Sequence, residues 1–200
     1  MRYRVNRIDV RVLAVASVFG ALSVLLEVIR GPPFDTPFPL YDRISWDFTG
    51  VPMMLSLLLY GPLAGIYTGL IGCAIIFLRG NLAGGVFKLV AELATLIGYA
   101  LLRRRGVLSN SILAAVARIC VMTAANYYLL PFFYGMPVSV AAGLLPTIAM
   151  FNASQAAINI YPAHLLSLAI RRRIPLLVVQ RVAVTQRRRS QVTVCRSVHR

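Results

Sequence analysis

The chain is divided into apolar blocks of nearly membrane-spanning length, and short polar, glycine- or proline-containing segments separate them. A helix needs about 20 apolar residues to cross a bilayer. Hydrophobic residues make up 58% of the 200 residues and charged residues only 14%, whereas soluble domains average roughly 25% charged residues. We therefore predict an all-α membrane protein with six transmembrane helices in one compact bundle. The length leaves no room for a sizeable soluble domain.

The apolar blocks predict six helices, of which the second and third are separated only by Gly61-Pro62. Proline suits a first helical turn, where its missing N–H costs nothing. The predicted helices cover 12–29, 50–60, 62–78, 84–102, 111–130 and 146–170. Residues 1–170 then form the transmembrane domain, and 171–200 form a basic tail that either lies along anionic membrane lipid or is disordered.

The net charge of +15 invites a nucleic-acid interpretation, but the basic residues are distributed asymmetrically. They concentrate near the N-terminus, at 103–105 and from Arg171 onward, all on one side if six helices cross. This matches the excess of positive charge in cytoplasmic segments. We expect a multi-pass protein of the plasma membrane with both termini in the cytoplasm, residues 30–49 outside and no nucleic-acid partner.

A stripe of small residues, Ala16, Gly20 and Ser23, follows one face of the first helix. Small residues let another helix approach closely. The stripe therefore indicates either packing inside the bundle or docking of a separate membrane subunit, and it is our candidate partner-docking face.

The segment 30–49 combines four prolines, five aromatic residues and three aspartates. Aromatic residues gather at membrane interfaces, and they also cover planar ligands. Both interpretations stay open, and Trp46 and Phe48 are the candidate ligand contacts of this segment.

Polar residues inside the predicted spans are the other candidates, because such residues normally face a cavity or a partner. Lys88 and Glu92 share a helix face, and they pair with each other or face a ligand. Arg118 is expected to snorkel to the cytoplasm. The polar residues Lys88, Glu92, Asn126, Asn152 and Gln155 come from three predicted helices and converge at one depth in the outer half of the membrane, which predicts a ligand pocket open to the outside. Tyr127, next to Asn126, is a further candidate ligand contact.

The sequence contains no catalytic, metal-ligating or nucleotide-binding pattern. There is no phosphate-binding loop, the cysteines (Cys73, Cys120, Cys195) are scattered, and His164 and His199 are isolated. We predict that the protein is not an enzyme. An alternative to a passive binding subunit is an ion-coupled carrier that uses Lys88 and Glu92, and a scaffold without a ligand would leave the amide cluster unexplained.

Five strings occur in this order along the chain: WDFTGVP leading into LLYGPLAG, then AELATLIGYALL, NYYLLPFFYG and FNASQ. With them the chain, over about residues 10–170, resembles the substrate-binding S component of energy-coupling-factor (ECF) vitamin transporters, and it is most similar to the riboflavin type. The resemblance implies a six-helix protein that binds a vitamin from the outside. It also implies docking on a transmembrane coupling subunit powered by two ATPases, with riboflavin as the transported ligand and not a cofactor.

The resemblance makes Asn126 and Asn152 flavin-binding amides. It places Gln155 where the family pattern has a lysine, which leaves another vitamin as an alternative ligand. The family docks through an Ala-x-x-x-Ala motif, and the nearest matches here are Ala16/Gly20 and Ser17/Ala21.

Overall fold

The structure is a computed structural model that describes residues 10–29, 31–102 and 106–173. In these ranges it contains six helices and one β-hairpin, so the prediction of a mainly helical protein is confirmed. The elements are α1 (Val10–Val28), β1 (Asp35–Phe38), β2 (Tyr41–Asp47), α2 (Gly50–Tyr60), α3 (Pro62–Leu78), α4 (Leu82–Leu101), α5 (Val107–Tyr134) and α6 (Val138–Arg173).

The hairpin corrects the all-α prediction. Strands β1 and β2 pair antiparallel, with Asp35 opposite Asp47 and Thr36 opposite Trp46, and the register shifts between Pro37 and Phe38. The pairing satisfies backbone groups that an irregular loop would leave unbonded. A proline in β1 is compatible with this arrangement, because each strand of a two-stranded sheet has a free edge.

Helices α5 and α6 are longer than predicted, because Pro131, expected to follow α5, and Pro146, expected to begin α6, both lie inside a helix. Pro131 lies within α5, and Pro146 and Pro162 lie within α6. Transmembrane helices tolerate proline where neighbouring groups satisfy the freed carbonyl. Helix α5 ends instead at Gly135, whose φ of 63° is left-handed.

Three of the described helices, α4, α5 and α6, are long and apolar enough to cross a membrane by length and composition. The other three are shorter apolar helices, covering Val12–Val28, Gly50–Tyr60 and Pro62–Leu78. The prediction of six complete spans therefore stays a prediction.

The small-residue face of α1 packs inside the bundle against α3. Ala16 and Ser23 are fully buried. A Cβ at Gly20 would lie 2.7 Å from the Ile71 side chain, and one at Gly72 would lie 2.7 Å from Ser23 Cβ. This face is therefore occupied by α3, which favours the packing alternative for Ala16, Gly20 and Ser23 over docking of a separate subunit.

The chain divides into two compact units, residues 1–164 and 165–200. The described part of the second unit, 165–173, is helical, exposes Leu165, Leu166 and Leu168, and ends in three arginines. Most of the predicted tail, the basic triplet at 103–105 and the first nine residues lie outside the described residues. The division at residue 170 stays a prediction.

Candidate ligand-binding site

The end of the hairpin is fixed to α6 by a two-way hydrogen bond between Asp47 and Gln155. The Gln155 Nε2 donates to the Asp47 carbonyl at 2.7 Å, and the Asp47 N–H donates to Gln155 Oε1 at 3.3 Å. One side-chain amide thus satisfies both backbone groups of the last strand residue.

Aromatic packing supports the same attachment. The Trp46 Nε1 donates to Ser154 Oγ on α6 at 2.8 Å. The buried Phe38 ring lies edge-on to Trp46 and to Phe151, with centroid separations of 5.1 and 5.6 Å. The hairpin therefore covers the surface of α6 around Phe151 and Ser154.

Lys88 of α4 forms an ion pair with Asp47 and lies 3.6 Å from the Glu27 carboxylate of α1. Thr49 joins the two acids, because its N–H donates to Asp47 at 2.9 Å and its hydroxyl donates to Glu27 at 3.1 Å. The Ser23 hydroxyl donates to the Thr49 carbonyl at 3.1 Å. Lys88 therefore connects three elements and does not pair with Glu92.

Glu92 pairs instead with Arg118 of α5, at 3.0 Å between Oε1 and a terminal guanidinium nitrogen. That nitrogen also donates to Thr95 Oγ1 at 3.0 Å, and Arg118 Nε donates to Asn152 Oδ1 at 3.0 Å. Both charged side chains are almost completely buried.

The expectation that Arg118 snorkels to the cytoplasm is wrong. Helix α5 begins at Val107 and not at 111, so Arg118 lies about 16 Å from the start of the helix at ~1.5 Å per residue. Its partner Glu92 lies near the middle of α4, about 15 Å from Leu82. The polar side chains therefore reach the middle of α4 and do not stay in one half.

The amides of α6 extend this arrangement. Asn159 Nδ2 donates to both Glu92 oxygens at 3.1 Å, and Gln155 Nε2 donates to Asn159 Oδ1 at 3.1 Å. We call the connected side chains the buried polar network: Asp47, Lys88, Glu92, Arg118, Asn152, Gln155 and Asn159.

A glycine at the start of α2 makes room for the network. A Cβ at Gly50 would lie 2.6 Å from Glu92 Oε2 and would overlap the Asn159 amide. Only glycine at position 50 lets the α2 backbone approach the Glu92 and Asn159 side chains this closely.

The structure brings together five of the predicted ligand contacts in or beside the network: Trp46, Lys88, Glu92, Asn152 and Gln155. Asn126 is buried, and its Nδ2 donates to the Met122 carbonyl of its own helix at 2.7 Å. Within the described residues no hydrogen bond joins it to the network. Phe48 is half-buried just before α2, whereas Tyr127 is exposed with its ring against Tyr128.

Arg118, Asp47 and Asn159 are the network members that were not among the predicted ligand contacts. The signal for Arg118 was its place within a long apolar segment, where a charge requires a partner. Asp47 lay in a quoted string but was not assigned a role. Its importance depends on long-range contacts with Lys88 and Gln155 that residue spacing does not reveal.

The environment of Asp47 favours its ionised form. Burial raises the pKa of this carboxyl, but the Lys88 charge and hydrogen bonds from Lys88 and Thr49 outweigh burial and hold the pKa below its ordinary value. The Asp47–Lys88 contact is therefore complete above the ordinary aspartate pKa of about 4. It is lost only as the pH falls through the lower pKa of the folded state.

We expect Asp47→Asn to loosen the hairpin, because Lys88 then keeps only the more distant Glu27 carboxylate. Losing a charge-assisted hydrogen bond costs roughly 1–3 kcal/mol. Trp46 is the only tryptophan of the chain, so its emission should shift to the red and acrylamide should quench it more strongly. Wild-type emission should stay constant from about pH 8 to pH 5, well above the aspartate pKa.

Asp42→Asn is the matched control, since Asp42 is exposed on the same strand. It should leave Trp46 emission unchanged. Equal spectra for Asp47→Asn and wild type, or a wild-type transition centred above pH 5, would contradict the assignment.

Comparison with known proteins places the chain in a family. The family model described as "ECF transporter, substrate-specific component" matches residues 11–167. The riboflavin transporter RibU of Staphylococcus aureus (strain TCH60) is 27% identical over 143 residues, which are 68% of this chain and 73% of that protein. The riboflavin transporter FmnP of Bacillus subtilis (strain 168) is 27% identical over 160 residues, covering 68% of this chain and 82% of that protein.

A solved structure has the same fold. It is the S component of a bacterial ECF transporter, and it superimposes with a TM-score of 0.65 at 22% sequence identity, covering 84% of this chain and 97% of that chain. The family match spans well over half of the residues and runs from α1 into the last turns of α6. The chain therefore belongs to the substrate-specific components of ECF transporters, which are membrane-embedded transport subunits and not enzymes.

Proposed function

We propose that this chain captures riboflavin and delivers it to the other components of an ECF importer. The observation that carries the proposal is the buried polar network, in which amides from α6 are held beside an aromatic hairpin. The two curated relatives, both riboflavin transporters, support the choice of vitamin.

The chemistry of the ligand suits these side chains. Isoalloxazine is planar and neutral, and its polar edge contains both donors and acceptors. A carboxamide offers both functions as well. Trp46 and Phe48 supply apolar surface for the ring, in keeping with pockets that combine apolar walls and a few fixed polar groups.

The contacts refine the role of Gln155. Both of its N–H groups are used, by the Asp47 carbonyl and by Asn159, and its oxygen accepts from Asp47. We assign it to holding the hairpin, whereas Asn152 and Asn126 remain the amides for the ligand. A closely related vitamin is the alternative if riboflavin does not bind.

The purified chain should bind riboflavin alone and quench its fluorescence. Asn152→Ala should raise the Kd about tenfold to a hundredfold, because a ligand group loses its buried partner. Ser111→Ala is the control, since its hydroxyl bonds only to Val107 of its own helix at the other end of the protein. Equal Kd values for wild type and Asn152→Ala would contradict the assigned site.

Proteoliposomes that contain only this chain should bring riboflavin to equilibrium at most, with or without an ion gradient. Concentrative uptake requires an energy source, which we assign to two separate ATPases acting through a coupling subunit. Gradient-driven accumulation by the lone chain would favour the ion-coupled carrier instead.

We further infer that six helices cross the plasma membrane with the hairpin outside and both termini in the cytoplasm. The asymmetric distribution of arginine supports this orientation. In a background without the native cysteines, an impermeant maleimide added to intact cells should label Leu40→Cys at the hairpin turn. It should label Ser109→Cys, in the first turn of α5, only after permeabilisation. Both positions are exposed on the protein, and the proposed orientation places them on opposite sides of the membrane. The reverse pattern would contradict the orientation.

For the coupling subunit we propose the outward face of α1. Ser17 and Ala21 are exposed, and the Ser17 hydroxyl bonds back to the Leu13 carbonyl at 2.9 Å. The side chains at these two positions are small and the Ser17 hydroxyl already has a partner, so a partner helix can approach closely between the larger exposed residues of α1.

Adjacent substitutions on α1 separate docking from packing. Ala21→Leu should keep thermal stability and riboflavin binding but abolish uptake in cells that supply the ECF partners, because Leu projects from the exposed face. Gly20→Leu should lower stability by roughly 1–3 kcal/mol through overpacking against Ile71. Normal uptake by Ala21→Leu would exclude this docking face.

A further inference from the structure

The Asn152 carboxamide is held at both ends by groups of the protein. Its Oδ1 accepts from Arg118 Nε at 3.0 Å, and its Nδ2 donates to the Ile148 carbonyl at 2.8 Å. A carboxamide has two N–H donors and two acceptor lone pairs. One N–H and one lone pair therefore remain for a ligand, and their positions are fixed.

Arg118 also determines which way the amide faces. Guanidinium is a donor at every nitrogen and stays protonated. If the amide turned over, Nδ2 would face Arg118 Nε, and two donors would meet in a buried site. The oxygen must therefore face α5, and the free N–H has only one orientation.

The guanidinium is itself immobilised. One terminal nitrogen donates to Glu92 Oε1 and to Thr95 Oγ1, each at 3.0 Å. Glu92 is held in turn by Asn159. Arg118 is 2% exposed, so no water shell competes for these contacts.

We propose that Arg118 is a positioning residue for ligand recognition, which fixes Asn152 so that its free N–H meets an acceptor atom of the ligand. An oxygen that already accepts from a cation is a weaker acceptor and leaves the N–H a stronger donor, because hydrogen bonds in a chain polarise one another. The ligand group at this position is therefore a carbonyl oxygen or an unprotonated ring nitrogen. The inference rests on the proposed role of Asn152 in ligand binding.

A double-mutant cycle tests the inference. Arg118→Lys keeps a positive charge for Glu92 but removes the Nε–H group that donates to Asn152. It should raise the riboflavin Kd about tenfold in the wild-type background, the value of one hydrogen bond. In an Asn152→Ala background it should have no further effect, since there is no amide left to position.

Two further variants control the cycle. Arg118→Met combined with Glu92→Gln removes both buried charges, so neither is left unpaired. This double variant should also raise the riboflavin Kd only when Asn152 is present. Asn126 has no hydrogen bond to Arg118, so the effects of Asn126→Ala and Arg118→Lys on the free energy of riboflavin binding should add. A Kd change that persists at full size in the Asn152→Ala background would overturn the proposal.

A measurement without ligand separates this inference from the proposed function. With asparagine labelled by ¹⁵N, the Asn152 side-chain signal is assigned by its absence in Asn152→Ala. Arg118→Lys should broaden this signal and speed its hydrogen exchange, and an unchanged signal would overturn the positioning role. If wild type fails to bind riboflavin while the signal changes as expected, the choice of vitamin is wrong and the positioning of Asn152 stands.

Discussion

The buried ion pair between Glu92 and Arg118 is the interaction on which the rest of the site depends. Removing two charges from water is costly, and their attraction compensates only when further hydrogen bonds satisfy the remaining donors and acceptors. Thr95, Asn152 and Asn159 provide those bonds. The pair therefore determines where the polar side chains of α6 must lie, and it links α4, α5 and α6 at the middle of α4.

The hairpin and the buried polar network belong to one connected set of contacts. The Asp47 carboxylate accepts from Lys88 of α4, and the Asp47 backbone N–H and carbonyl both bond to the side-chain amide of Gln155 on α6. Gln155 donates a hydrogen bond to Asn159, and Asn159 donates to Glu92. The hairpin is thus connected to Asn152, the amide that we assign to the ligand, through Gln155, Asn159 and the Glu92–Arg118 pair.

Sequence reasoning predicted the helical membrane architecture because apolar block length is a direct physical requirement of the bilayer. It placed α2 and α3 correctly because Gly61-Pro62 marks a break that is local. Its errors were about contacts between distant parts of the chain. Treating prolines and polar segments as helix ends shortened α5 and placed Arg118 too close to the surface. The stripe at Ala16 and Gly20 was correctly identified as a close-packing face, but spacing alone does not say whether the partner is α3 or another subunit.

The two faces of α1 show how one short helix serves two requirements. Its buried face must be small because the α3 backbone region around Gly72 approaches it closely, and Ser23 on that face bonds to the residue before α2. In the topology that we propose, its exposed face lies in lipid, where association gains little from apolar burial and depends on close contact. The small side chains of Ser17 and Ala21 permit such a contact. Glu27, on the same helix, lies beside Lys88 and Thr49, so a shift of α1 on docking would act on the acids that hold the hairpin. These contacts join the helix that we propose for docking to the end of the hairpin.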